Sequence, residues 1–171
     1  VNRTYDMAYP KVIAIYLKGK PSFGIGPHDV ALSIIGKTYE NGYVKNAVME
    51  FIGPGVSNLS MEFRNGIDVM TTETTCLSSI WKTDLKVKDY YDCHGRIGEF
   101  KELNPENIAY YDGAVVVDLS KIKPSIAMPF HPSNVYTIEE LNKNLSDIIR
   151  DVEIKGAKQL DNPDINFSLK E

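Results

Sequence analysis

Cysteine is scarce in this 171-residue chain, with only Cys76 and Cys93. Two thiols that far apart, with no Cys-x-x-Cys pair, exclude a zinc site built on thiolates. Read alone, Cys76 is a small buried apolar residue. One disulfide between the two stays open, but low cysteine use fits a reducing compartment better, so a cytoplasmic protein is expected. No apolar run reaches membrane-spanning length, which excludes a transmembrane helix and makes a membrane an unexpected partner. The first nine residues carry no signal-peptide core, and the chain does not start with Met, so a piece of a longer polypeptide is expected. A basic surplus is also missing: 19 Lys and Arg face 23 Asp and Glu, a net charge of -4. No stretch interleaves cations with stacking aromatics, so nucleic acid is not expected to bind. Repeats and low-complexity tracts are absent, and 43% apolar with 25% charged residues excludes wholesale disorder or a fibrous chain.

What is present is alternation of strand and helix signals. Val12–Leu17 is a short β-branched run, a strand by length and composition. Asp29 is placed to cap a helix reaching about Tyr39, which Asn41-Gly42 ends. Ala47–Ile52 reads as a second strand running into Gly53-Pro54-Gly55. With Ser57 or Asn58 as N-cap, Leu59, Phe63, Ile67 and Met70 then line one helical face. Cys76–Ile80 is a third strand, and Thr83-Asp84 opens a helix that stops at His94-Gly95. A long polar connection follows over 96–113. Ala114–Leu119 is the most strand-like segment, and Pro124–Pro132 is extended and broken by proline. Thr137 and Glu140 form a capping box ahead of Leu141, Leu145, Ile148, Ile149 and Val152. This order predicts an α/β fold, a three-layer sandwich with a mainly parallel sheet covered on both faces. One domain over residues 1–154 is expected, with 155–171 as a linker or tail. Functional residues are expected at the carboxyl ends of the strands.

Two segments are candidates for chemistry. Gly53-Pro54-Gly55 could offer backbone N–H groups to an anion, although a tight strand-to-helix turn explains the same residues. In Met70–Cys76, Glu73 sits among threonines, where a carboxylate could accept several hydrogen bonds and hold a water or a substrate hydroxyl. Composition alone favours a surface Glu beside a Thr-rich turn. His28, His94 and His131 are isolated from one another, form no i,i+4 pair and are read as structural. Trp81 with Tyr90 and Tyr91 reads as a packing cluster.

The string Phe51-Ile52-Gly53-Pro54-Gly55-Val56-Ser57-Asn58-Leu59-Ser60, continuing to Met70-Thr71-Thr72-Glu73, resembles the second of three α/β domains in the aconitase superfamily. That group includes aconitate hydratase, isopropylmalate dehydratase and homoaconitase. Tyr9-Pro10-Lys11-Val12-Ile13 looks like its first strand entry, and Pro27-His28-Asp29-Val30 like its helix start. Val115–Leu119, Lys123-Pro124-Ser125 and Pro129-Phe130-His131-Pro132 look like its closing strand and proline-rich exit. The ordered resemblance spans about Tyr9 to Pro132. It implies one domain of a hydro-lyase that adds or removes water on a small di- or tricarboxylic acid. It also implies a [4Fe-4S] cluster in the full-length protein, held by three cysteines in a following domain outside this chain. The iron acts as a Lewis acid. Glu73 matches the family Glu that hydrogen-bonds the iron-bound water or hydroxyl, and so becomes the catalytic candidate. No metal-ligating or cofactor-binding residue is expected within this chain. The base and the remaining site residues belong to other domains of the same polypeptide, which are the expected partners, so the chain alone is expected to be inactive. Val69 stands where the family usually has Asn, which argues against citrate or isocitrate as substrate. A second reading is a cluster-free, inactive paralogue acting as a ligand- or protein-binding module. A third is a self-standing α/β ligand-binding domain.

Overall fold

Ile13, Ile15 and Leu17 alternate along the first strand and are all buried, which decides which sheet face becomes the core. The computed structural model describes residues 4–160 and 168–169. Strands β1 (Val12–Lys18), β2 (Val48–Ile52), β3 (Ser78–Trp81) and β4 (Gly113–Asp118) form one parallel sheet in the order β3-β2-β1-β4. Ile15 lies in register with Phe51 on one side and Val115 on the other. Phe51 stacks on Trp81, ring centroids 4.0 Å apart. Trp81 therefore packs on the sheet, whereas Tyr91 meets Phe100 edge-on at 6.2 Å. The expected cluster of Trp81 with the two tyrosines is corrected accordingly.

Helices α1 (Pro27–Thr38) and α2 (Met61–Asp68) pack side by side over this buried face. The steps from β1 to β2 to β3 run in one direction, and right-handed crossovers put both helices on the same side. The α/β class and the mainly parallel sheet are as expected. The other face is less covered than expected, because Tyr16 and Val116 are exposed on it. Tyr111 lies against that face beside Glu50. Burial first, and the carboxylate second, push its phenol above the usual tyrosine range.

Caps and boundaries differ in detail from the sequence reading. Gly26 precedes α1, and Asp29 occupies its third position, accepting the Gly26 N–H at 2.8 Å. The second oxygen of Asp29 accepts the Ser125 N–H, also at 2.8 Å. Pro54–Asn58 is a 3-10 turn, and the cap of α2 is Ser60, whose hydroxyl accepts the Phe63 N–H. Helix α3 (Leu85–Cys93) is capped by Asp84, as its sequence predicts. In the proline-broken exit, β5 (Ser125–Ala127) pairs antiparallel with β6 (Val135–Thr137). The Thr137–Glu140 capping box is present and opens α4 (Ile138–Lys143). The single helix expected there is two, because Asn144 breaks it before α5 (Leu145–Leu160). The expected tail therefore begins as helix: Lys155 pairs with Asp151 one turn back, at 2.7 Å, within α5. Residues 161–167 and 170–171 of that expected tail lie outside the described residues.

Arg64, on α2, is 1% exposed. Its Nη2 donates to the Val56 carbonyl at 3.0 Å, to the Leu59 carbonyl at 3.3 Å and to the Asp84 carboxylate. One guanidinium thus ties the 3-10 turn, α2 and the start of α3. Burial pushes the Asp84 carboxyl up, but Arg64 and the Val87 and Lys86 N–H groups outweigh it and hold it below the usual 3.8. A buried charge left alone is costly, so Arg64→Met should destabilise the domain by about 3 kcal/mol in urea denaturation. The Asp84 contribution is complete above its unfolded value and is lost as pH falls through the lower folded one. Asp84→Asn should therefore flatten the acid limb of the stability curve below about pH 4 and leave its shape above that unchanged.

Candidate functional site

The two candidate segments lie at opposite ends of the sheet. Gly53-Pro54-Gly55 follows β2 at the carboxyl end, where function was expected. Gly53 has φ +95°, and a methyl group there would collide with the Leu17 carbonyl oxygen. A methyl on Gly55 would sit 2.8 Å from the Leu17 carbonyl carbon. These glycines serve the close approach of the turn to β1, and Asn58 fastens it by donating to the Gly19 carbonyl at 2.8 Å.

Glu73 lies on a 3-10 turn, Thr71–Thr74, that precedes β3. Asn46, just before β2, donates its N–H to the Thr75 carbonyl at 3.0 Å. The turn therefore sits at the amino ends of the strands, away from the carboxyl ends where functional residues were expected. Helix α2 explains it: the chain leaves β2 at the carboxyl end and must return before β3 can run parallel. The neighbouring threonines do not serve Glu73. The hydroxyls of Thr71, Thr72 and Thr74 donate to the carbonyls of Asp68, Val69 and Thr71. They tighten the turn, bury Thr71 and Thr74, and leave the Glu73 side chain 44% exposed.

Across from Glu73 is His131, its Nε2 3.8 Å from the carboxylate. The imidazole stacks on Tyr39, the cap of α1, with centroids 3.7 Å apart and planes 21° from parallel. Gly36 makes this approach feasible: a methyl on it would come within 2.5 Å of the Val135 side chain on β6. The β5–β6 connection can thus lie against α1 and carry His131 to the rim. Sequence reading treated His131 as structural and did not pair it with Glu73. Asp68 was missed as well. Its Oδ1 accepts from the Ser79 hydroxyl at 2.7 Å and the Trp81 indole at 2.8 Å, binding the end of α2 to β3 and so fixing the Glu73 turn. The one available sequence signal was Trp81, whose N–H needs an acceptor when it packs inward.

His28 is exposed on the first turn of α1, and His94 lies over Tyr90 at the end of α3. Neither approaches Glu73. Both cysteines are free, which closes the disulfide alternative. Among the described residues, no group of three His, Cys, Asp or Glu is placed to hold a metal ion. The residues present therefore do not fit an iron-sulfur cluster. No helix among them is long and apolar enough to cross a membrane. A cavity of about 640 Å³ is lined by Lys37, Lys121, Lys123 and Lys155 with Glu40 and Glu140, and Glu73 is not part of its lining. A smaller one, about 180 Å³, adjoins His131 and includes Glu40, Phe130 and Lys155.

Sheet, turn and rim define a parallel α/β domain that presents a carboxylate and an imidazole at the amino end of its strands. Residues 1–168 match the Aconitase family (aconitate hydratase), and the chain belongs to that family. It is 34% identical over 139 residues to the 3-isopropylmalate dehydratase large subunit of Clostridioides difficile (strain 630), covering 80% of this chain and 32% of that protein. The protein of the same name from Acetivibrio thermocellus is 33% identical over 132 residues, covering 77% and 31%. The chain spans about a third of the length of these relatives.

The two glycine positions predict a purely structural role for their turn. Gly53→Ala should lower stability by about 2 kcal/mol or more in urea denaturation, through the positive φ and the collision with β1.

Proposed function

We propose that this chain is one domain of an aconitase-like hydro-lyase that adds or removes water on a small di- or tricarboxylic acid. In this reading Glu73 is its contribution to a site that other domains of the same polypeptide complete. The observation that carries it is the Glu73 carboxylate, held out by a tight turn, half open to solvent, with an imidazole beside it. Family membership and the dehydratase names of the relatives support the reaction class.

Dehydration breaks a C–O and a neighbouring C–H bond and forms a C=C bond between the two carbons; the C–H proton passes to a base, and the hydroxyl takes up a proton and departs as water. Glu73 meets the hydroxyl side of that exchange, where a fixed carboxyl group orients the departing or arriving water by hydrogen bonding. The proton on the neighbouring carbon is the task of a base on another domain. A [4Fe-4S] cluster held by cysteines outside this chain would supply Lewis acidity in the full-length protein. Neither Cys76, tied by its thiol to the Thr71 carbonyl, nor the distant Cys93 is assigned to it. The low cysteine content favours a reducing compartment, and a cytoplasmic setting is part of this reading.

One observation favours the alternative, a cluster-free paralogue that binds a ligand or a protein. Val69 is exposed on the Glu73 side of α2, and an apolar side chain makes no hydrogen bond to a polar substrate. The decisive measurement uses the full-length polypeptide with 3-isopropylmalate as probe, followed by alkene absorbance. Glu73→Gln should lower kcat by about a hundredfold or more with a small change in KM. Wild-type turnover in that variant would remove Glu73 from the reaction. The isolated 171-residue chain, incubated with iron and sulfide, should show no iron-sulfur absorbance and no turnover.

A further inference from the structure

His131 reaches Glu73 from a distant stretch of chain, and its ring is held at one face and at Nδ1. Tyr39 fixes the ring plane by stacking. The Ser133 N–H donates to Nδ1 at 3.1 Å, and the Ser133 hydroxyl lies 3.0 Å from the same atom. A ring nitrogen that accepts a backbone N–H carries no hydrogen of its own, so the neutral ring holds its hydrogen on Nε2. Nε2 is the atom that faces the Glu73 carboxylate. The supporting loop is braced as well: Asn134 donates its amide to the Pro129 carbonyl at 2.8 Å, and Lys155 of α5 reaches the Asn134 side chain at 3.3 Å. The charged and titratable groups around the ring are Glu73 on its turn, Tyr39 and Glu40 at the end of α1, and Lys155 on α5.

We propose that His131 is the positioning residue of Glu73: a pre-set Nε2–H donor that engages one carboxylate oxygen and leaves the other for the reacting hydroxyl. The inference rests on the reading of Glu73 given above. Engaging this donor requires a rotation of Glu73 that closes the 3.8 Å separation, in line with the tightening of hydrogen bonds in unliganded sites when substrate arrives. A hydrogen bond to a charged carboxylate is among the stronger polar contacts, and its loss is felt as roughly ten- to a hundredfold in rate.

The test uses full-length protein labelled with 15N-histidine. Long-range proton–nitrogen correlation should show His131 with a bare Nδ1 and a protonated Nε2. Glu73→Gln should move the Nε2 resonance more than those of His28 and His94. A hydrogen on Nδ1, or an Nε2 signal indifferent to Glu73→Gln, overturns the proposal. The kinetic arm compares two substitutions. His131→Phe keeps a ring on Tyr39 and removes the donor, whereas His131→Gln restores an N–H donor without the aromatic ring. His131→Phe should lower kcat at least about tenfold with KM little changed, and His131→Gln should recover much of the loss. If Glu73→Gln is impaired while His131→Phe keeps the wild-type rate, the His131 assignment falls and the Glu73 reading stands. If Glu73→Gln keeps the wild-type rate, the Glu73 reading falls, and His131 loses its role with it.

Discussion

A guanidinium shut away from water has to be answered where it lies, and the layout of this domain follows from how Arg64 is answered. Its acceptors come from two residues of the turn after β2 and one at the mouth of α3. Nε and Nη1 find no hydrogen-bond partner among the described residues, a desolvation cost that the three acceptors of Nη2 have to offset. With Arg64 fixed, the axis of α2 is fixed. At its far end Asp68 grips Ser79 and Trp81 of β3, so the short turn between α2 and β3 has little freedom left. The position of Glu73 is thus a consequence of two polar anchors, one at either end of one short helix.

The other half of the rim is delivered by different means. Asp29 uses its two carboxylate oxygens on two segments, the start of α1 and the start of β5. Gly36 removes the side chain that would keep β6 away from α1. Both devices bring the β5–β6 connection down on the end of α1, where Tyr39 receives the imidazole. Rigid elements therefore define the rim although its two chemical groups ride on turns.

Much of this was legible in the chain, and the exceptions have physical causes. The β-branched runs at Val12 and Ala114, the Asp84 cap and the Thr137–Glu140 box state their local structure directly, and the parallel α/β class follows from their order. The second sheet was hidden because β5 and β6 have three residues each, too few to show a period of two, and lie beside prolines. The threonines around Glu73 suggested donors for its carboxylate, but backbone carbonyls within the turn were nearer and took them. The general rule that sites lie at the carboxyl ends of parallel strands pointed to the Gly-Pro-Gly turn, and packing against β1 accounts for that turn. No pattern in the sequence links His131 with Glu73, since only the folded hairpin makes them neighbours. Glu73 was a candidate from its setting among threonines, and the family resemblance raised it above a surface carboxylate; its role is the proposed one.

The central strand also sets a timetable. β1 is made first of the strands of this domain, yet one of its two neighbours is β4. The Val12 N–H waits for the carboxylate of Asp112, and the second oxygen of Asp29 waits for Ser125. Contacts that span so much chain are slow to close, because loop entropy is lost before any pairing energy returns. During synthesis, the β1-α1-β2 unit must leave the ribosome with the middle of its future sheet still a bare edge, a hazard for pairing with other chains. The rim that carries Glu73 and His131 can close only after the segment following β4 has emerged.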